Sequence, residues 1–341
     1  MTFGDMMKKA TDLVHPARRR ALRAAVALGL AGALAAPAAW AQKYPDKPIR
    51  LVVGYSAGGG VDAVARLLGT RLSAVLGQQV MVDNRTGATG MIAAEYVAKS
   101  ASDGYTLMMG DSALLAAKLL QPKAPVDPLT SFRPVAGAFV SPLMIVTGND
   151  FPARTPAEFV KEIKARPGHY SYATSGVGTV HHLGFEMLKQ TSGSKVVHVP
   201  YRGAAQIVPD VVGGQVPIGV VSATAGMAQA KAGKLRAIAL MNTARLEGAE
   251  SVPPLADALP GFDVAPRIFV LAPAGTPDEI VDRLSAAVKA VLDTPEAGAA
   301  AAAQGTLRAY ATPAQLGKDM AEETKRWQRI IAEQNIVAEG K

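Results

Sequence analysis

From residue 49 onward, short β-branched runs alternate with segments whose apolar residues recur every three to four positions. No other feature restricts the fold as strongly. Ile49-Arg-Leu-Val-Val53 reads as the first strand. Val61 to Leu76 reads as the first helix, with Val64, Leu67, Leu68, Leu72 and Val75 near a 3.6-residue period and Gly77 placed to end it. Further strands are expected at Val80–Val82, Thr106–Met109, Leu143–Val146, Tyr170–Tyr172, Val196–Val199, Pro217–Val221, Arg236–Leu240 and Ile268–Leu271. Helices are expected at Pro156–Ala165, Val180–Gln190, Ala204–Val212 and Pro277–Leu292, and the alanine-rich Ala297–Ala303 reads as a solvent-tolerant helix. Pro156 and Pro277 each follow a threonine, the order of an N-cap and a first helical position. Such βαβα alternation predicts an α/β fold with largely parallel sheets and helices on both faces. No repeat or disordered linker interrupts it. Two lobes would therefore be joined through strands, with Phe139–Thr147 and Asp263–Leu271 as the crossings.

The first 41 residues read differently. Lys8, Lys9, Arg18, Arg19, Arg20 and Arg23 precede an alanine-rich apolar run to Pro37, and Ala39-Trp40-Ala41 places small residues at the −3 and −1 positions of a cleavage site. That is the pattern of a secretory signal peptide. A membrane anchor would need about 20 strongly apolar residues, which this run does not supply. The Ala17–Arg23 stretch loosely resembles a twin-arginine signal, so the export route stays open. The 341-residue chain has no cysteine. This excludes disulfides, thiolate chemistry and lipid attachment through a cysteine, so the exported chain is expected to be free. The leader takes six of 36 Lys/Arg and two of 28 Asp/Glu, leaving a net charge of +4 on the remaining 300 residues. That balance suits an anionic small ligand. It gives no support for nucleic acid, because there is no Lys/Arg run and aromatics are 5% of the chain.

Gly58-Gly59-Gly60 sits where the first strand turns into the first helix. Without Cβ atoms a ligand can approach the backbone closely, and the N–H groups of a helix start favour an anion. Asp62, in the first helical turn, reads either as an acceptor for a loop N–H or as an ordinary favourable first-turn acid. A dinucleotide fingerprint fails at its third glycine, where Ala63 stands, with Asp83 as the later acid. A triphosphate-binding Gly-x4-Gly-Lys-Ser/Thr is missing. A carboxylate needs only the N–H groups. Gly54-Tyr55-Ser56-Ala57-Gly58 also spells a serine-hydrolase elbow. Against it, Ser56 lies on the first strand after the leader, so no earlier strand supplies an oxyanion loop. The base would have to be His169, His181, His182 or His198, with more than a hundred residues following.

A second strand-to-helix loop, Tyr170 to His182, mirrors the first through Thr174, Ser175, Gly176, Gly178 and Thr179. Facing each other across a cleft, the two loops would clamp a dicarboxylate by N–H groups and hydroxyls. His181 and His182 diverge by about 100° on a helix and suit a metal poorly. His182 reads either as a hydrogen-bonding residue of the loop or as a packed structural histidine. No metal or cofactor is expected.

Eight segments recur in a familiar order: Gly58-Gly-Gly-Val-Asp62, Asp83-Asn-Arg-Thr-Gly-Ala-Thr-Gly90, Asp103-Gly-Tyr-Thr-Leu107, Thr174-Ser-Gly-Val-Gly-Thr179 with His182, His198-Val-Pro-Tyr-Arg-Gly203, Gly213-Gly-Gln-Val216, Ala232-Gly-Lys-Leu-Arg236 and Leu271-Ala-Pro-Ala-Gly-Thr-Pro277. The chain resembles the solute receptors of tripartite tricarboxylate transporters, the Bug receptors, over nearly all of its length beyond the leader. The resemblance implies a non-catalytic periplasmic receptor of two-lobe, type II-like periplasmic-binding-protein architecture. The first lobe would comprise 42–142 with 262–341, and the second 143–261. It implies a small di-, tri- or aromatic carboxylate in the cleft, held by Tyr55, Ser56, Ala57, Gly58 and Gly59 from one side. Thr174, Ser175, Gly176, Thr179 and His182 would close from the other, and Ser112 would lie on a third cleft loop. It also implies membrane transporter subunits, or a sensor kinase, as partner. Two departures bear on specificity. Val221 followed by Ser222 stands where the family often has an acid, and Arg267 where many members have an aromatic. Arg267 reads either as a cleft cation favouring a more anionic ligand or as a surface charge.

Overall fold

The computed structural model describes residues 44–201, 205–243, 246 and 248–337, so the proposed leader lies outside the described residues. Eleven described strands form two mixed sheets. The first has the order β11 (Leu307–Ala311), β4 (Phe132–Val140), β10 (Arg267–Pro273), β3 (Thr106–Asp111), β1 (Ile49–Val53), β2 (Val80–Asn84). The second runs β7 (Val197–Pro200), β6 (Ser171–Thr174), β8 (Ile218–Ser222), β5 (Leu143–Thr147), β9 (Arg236–Leu240). Both sheets belong to one compact unit beginning at Lys47.

The expectation of largely parallel sheets is corrected. β1 pairs in parallel with β2 and β3, and β6 with β7 and β8. The strands at the crossings do not: β10 is antiparallel to β3 and β4, β11 to β4, and β5 to β8 and β9. A chain that leaves one sheet by β4 and re-enters it by β10 must run these neighbours in opposite directions.

The described helices are α1 (Gly60–Leu76), α2 (Met91–Ala98), α3 (Ser112–Leu120), α4 (Pro156–Ala165), α5 (Val180–Ser192), α6 (Ile207–Val212), α7 (Ala223–Lys231), α8 (Asp278–Leu292), α9 (Pro295–Ala303) and α10 (Pro313–Glu333). Gly77 ends α1 in the left-handed conformation at φ 69°, as its position suggested. Thr155 caps α4 by accepting from the Glu158 N–H, and Thr294 and Thr312 repeat the Thr-Pro start at α9 and α10. Thr276-Pro277 does not. The N-cap of α8 is Pro277 itself, and the buried Thr276 hydroxyl donates to the Pro273 carbonyl instead.

Helices cover both faces of the second sheet, so β5 is buried on both sides. Leu143 and Ile145 join a core with Tyr172, Phe159 and Phe185, while Met144 and Val146 join another with Ile207 and Val211, the two-residue period of a strand. The long helix α10 contributes to two cores. Its Leu316 and Met320 pack with Phe132, Phe269 and Leu271 of the first sheet, and its Trp327 and Ile330 pack in the Tyr172 core of the second. Trp327 is 1% exposed, and its Nε1–H donates to Glu323 Oε1 at 3.1 Å. Replacing Trp327 with Ala should lower unfolding free energy by about 3–5 kcal/mol, read from urea denaturation followed by far-ultraviolet circular dichroism.

Candidate functional site

Both glycine loops leave the carboxyl ends of parallel-paired strands, where open α/β sheets place ligands. In the first, Ser56, Ala57 and Gly58 are exposed and Gly59 and Tyr55 are half-buried. Gly58 adopts φ +82°, a conformation that glycine reaches without strain. Its N–H donates to Asp62 Oδ2 at 2.8 Å, so Asp62 accepts a loop N–H, one of the two readings open in the sequence. The same carboxylate, 1% exposed, accepts from Arg66 Nε at 2.9 Å and Asn84 Nδ2 at 2.8 Å. Burial alone would raise the Asp62 pKa, but these three donors hold it below the usual carboxylate range. Asn84 Nδ2 also donates to the Tyr55 carbonyl at 2.9 Å. Asp62 therefore shapes the loop from beneath, with its charge matched by these donors. Gly59 caps α1 without any side-chain bond, leaving the N–H groups of Gly60 and Val61 without an intrahelical acceptor.

Tyr55 Oη donates to Asp111 Oδ1 at 2.8 Å. Burial pushes the Asp111 carboxyl up to about 6, although the Tyr55 bond opposes it. Asp111 precedes Ser112, which is fully buried and accepts the Arg267 N–H at Oγ, 2.9 Å away. Ser112 thus ties α3 to the returning strand.

In the second loop every predicted hydroxyl already has a partner. Thr174 is fully buried, with its Oγ1 2.7 Å from His198 Nε2. Ser175 Oγ lies 3.1 Å from His181 Nδ1. Thr179 donates to the Gly176 carbonyl at 2.8 Å and caps α5 by accepting from the His182 N–H. Gly176 holds φ +128°. His182 is 4% exposed; its Nδ1 accepts the Gly178 N–H at 3.1 Å, leaving Nε2 as the protonated nitrogen, 3.7 Å from Glu186 Oε1. The His182 and His198 rings stack at 3.8 Å and 8°. Burial, with the neighbouring imidazole adding to it, pushes His198 down to about 3, and burial takes His181 down to about 4. The histidine is thus both packed and bonded to its loop. The N–H groups of Val180 and His181 remain without an intrahelical acceptor.

Helix α3 brings the loops together: it packs on the Ala88–Gly90 turn beside the first and on α5 of the second. A Cβ on Gly178, at φ +77°, would collide with Leu120 Cδ1 at the end of α3. Two more predicted residues already have partners of their own. Ser222 caps α7 by accepting the Ala225 N–H at 3.3 Å, and Arg267 is ion-paired to Asp319 at 2.8 Å. Ser56 makes no bond to a histidine among the described residues, since His181, His182 and His198 all serve the second loop. Sequence reasoning missed Asp111, Arg66 and Glu186. Of these, Arg66 and Glu186 left a local signal, their i,i+4 spacing from Asp62 and from His182.

Glu186 accepts from Tyr172 Oη and from Lys189 Nζ at 2.7 Å. Burial works to raise its pKa, but the bonds from His182, Lys189 and Tyr172 overturn that and hold it at about 2. A folded pKa below the unfolded value gives stability that is complete above about pH 4.5 and fades as pH falls toward 2. In an acid series of melts, the native chain should lose about 3 kcal/mol across that window. Glu186→Gln should be less stable at pH 7 and lack this segment of the profile.

Comparison with known proteins gives the same family as the motifs. The family described as tripartite tricarboxylate transporter family receptor matches residues 64–336. Protein BugT of Bordetella pertussis is 35% identical over 303 residues, 88% of this chain and 93% of that one. A Rhodopseudomonas palustris protein solved with adipate is 31% identical, with a TM-score of 0.74 over 86% of this chain and 99% of that one. MatC from the same organism, with bound malate, is 30% identical, with a TM-score of 0.68 over 84% and 100%.

Proposed function

The chain belongs to the tripartite tricarboxylate transporter family of receptors, binding proteins and not enzymes, and from that premise we propose that it closes two lobes on a small carboxylate. The lobes are 42–142 with 262–341, and 143–261, each carrying one sheet and one glycine loop. One observation carries the reading: two strand-to-helix loops, both packed near α3, have helix-start N–H groups with no acceptor among the described residues. Such groups, backed by helix dipoles, favour an anion, and two such sets suit a ligand with a carboxylate at each end. The relatives solved with adipate and malate support a dicarboxylate.

The residues divide by role. Gly58, Gly59 and Ala57 let the ligand approach the backbone of Gly60 and Val61, with Ser56 and Tyr55 at the rim. Ser175, Gly176 and Thr179 present the start of α5, while Asp62, Thr174 and His182 hold the two loops in shape. Affinity comes from charge-assisted bonds in a cleft that excludes water on closure. The family is one of periplasmic binding receptors, and export by the 1–41 leader puts this chain in the periplasm, from which it hands its ligand to the transporter's membrane subunits.

Thermal melts of residues 42–341 with adipate, malate, citrate and aromatic acids test the reading. A ligand at a hundred times its dissociation constant adds about 2.7 kcal/mol, a rise of roughly 5 °C. Gly60 is the first residue of α1, and no atom lies within 4 Å of a Cβ placed there. Proline is well tolerated at that position and removes one donor. Gly60→Pro should keep the melting temperature of the free protein and weaken carboxylate binding about tenfold or more. No shift with any acid, or binding indifferent to Gly60→Pro, would count against the site.

A further inference from the structure

We infer that Arg267 is a positioning residue, which sets ligand affinity by pinning the strand that returns between the lobes to α10 and does not touch the ligand. The inference rests on the two-lobe reading above. Arg267 opens β10 at the point where the chain comes back from the second sheet to the first. Its backbone N–H donates to Ser112 Oγ on α3, the helix packed near both glycine loops. Its guanidinium runs the other way: Nη1 donates to Asp319 Oδ2 at 2.8 Å, and Nε lies 3.9 Å from Glu323 Oε2. Both acids are on α10, and both are well covered, with side-chain exposures of 16% and 3% against 41% for Arg267.

The placement along α10 gives the pair its leverage. Leu316 and Met320 sit in the first sheet's core and Trp327 and Ile330 in the second's; Glu323 falls between these anchors, and Asp319 precedes Met320 directly, one turn from Glu323. Between returning strand and helix lies a recess of about 170 Å³, lined by Val264, Arg267, Glu323 and Trp327 among others. Side chains do not fill that space. The ion pair therefore holds strand to helix where close packing elsewhere would do so. A cation engaged by two acids also has little charge left for a bound carboxylate, so the residue's departure from the family's aromatic does not make the ligand more anionic.

The native chain has no cysteine, so spin labels can be placed by Val75→Cys on α1 and Lys161→Cys on α4, both exposed, one on each lobe. Double electron–electron resonance on the ligand-free protein should show one narrow distance distribution in the parent. It should broaden in Arg267→Ala and in Asp319→Asn, and the double variant should be no broader than Arg267→Ala alone. Asp319→Asn is the gentler change should Arg267→Ala fold poorly. Titration with adipate and with hexanoate, one carboxylate fewer, supplies the second reading. Arg267→Ala should weaken both by the same factor, about threefold or more, by lowering the population of the closed state. Unchanged distances in both single variants, or a loss much larger for adipate than for hexanoate, would overturn the inference. If the parent binds neither acid, the proposed ligand class falls, and the ligand-free distances still decide the role of Arg267.

Discussion

The first backbone N–H groups of a helix have no carbonyl one turn earlier, and a buried donor left unanswered costs about 1–3 kcal/mol. Some helix starts leave them without a side-chain acceptor, as α2, α6 and α8 do, and at others this protein answers one of them itself, with Thr155, Thr294 and Thr312 at α4, α9 and α10. At the start of α1 it does not. The cap there is Gly59, which has no side chain to offer, and the residues before it are open to solvent. At the start of α5, Thr179 takes only the His182 N–H. The remaining donors suit an anion, because the helix dipoles would add to the bonds.

An acid beneath a proposed anion site needs explaining, and each loop has one. Asp62 lies under the first and Glu186 under the second, both almost fully buried. Neither charge stands alone. Asp62 is matched by Arg66 and by amide donors from Gly58 and Asn84, and Glu186 by Lys189, Tyr172 and His182. A neutralised carboxylate can then accept several bonds at once, fixing a glycine-rich backbone that has little else to hold its shape. The cost of removing such an acid would fall on loop geometry before it fell on charge.

The features readable in the sequence are those whose causes lie within a few residues. Gly77 ends α1, Thr155 caps α4, and the unbroken apolar run Leu143–Val146 marks a strand buried on both faces. The features that escaped are of two kinds. β4 carries Pro134 and Gly137, and β11 is a short edge strand, so neither shows a clean two-residue period. Thr276-Pro277 had the right letters but a competing acceptor, the Pro273 carbonyl, captured the hydroxyl. The long-range partners left no local mark at all: Tyr55 and Asp111 are 56 residues apart, and Arg267 and Asp319 are 52. Arg267 shows the difference clearly. The family resemblance singled it out, with cleft cation and surface charge both open, and only the fold says which way its guanidinium points.

The fold also explains why a hinge region would carry charge at all. An apolar seam between the returning strand and α10 would bury surface on contact and resist sliding, since packed interiors lose dispersion energy as soon as a gap opens. An ion pair beside a recess behaves differently. Its attraction falls off gradually with distance, and its partners can re-form bonds with water or with Glu323 as the geometry shifts. On α10 the apolar anchors stay packed, Met320 in one core and Trp327 in the other, while Asp319 and Glu323 face the returning strand. On the two-lobe reading proposed above, setting the anchors and the pair on one helix would let a cleft close without unpacking either core.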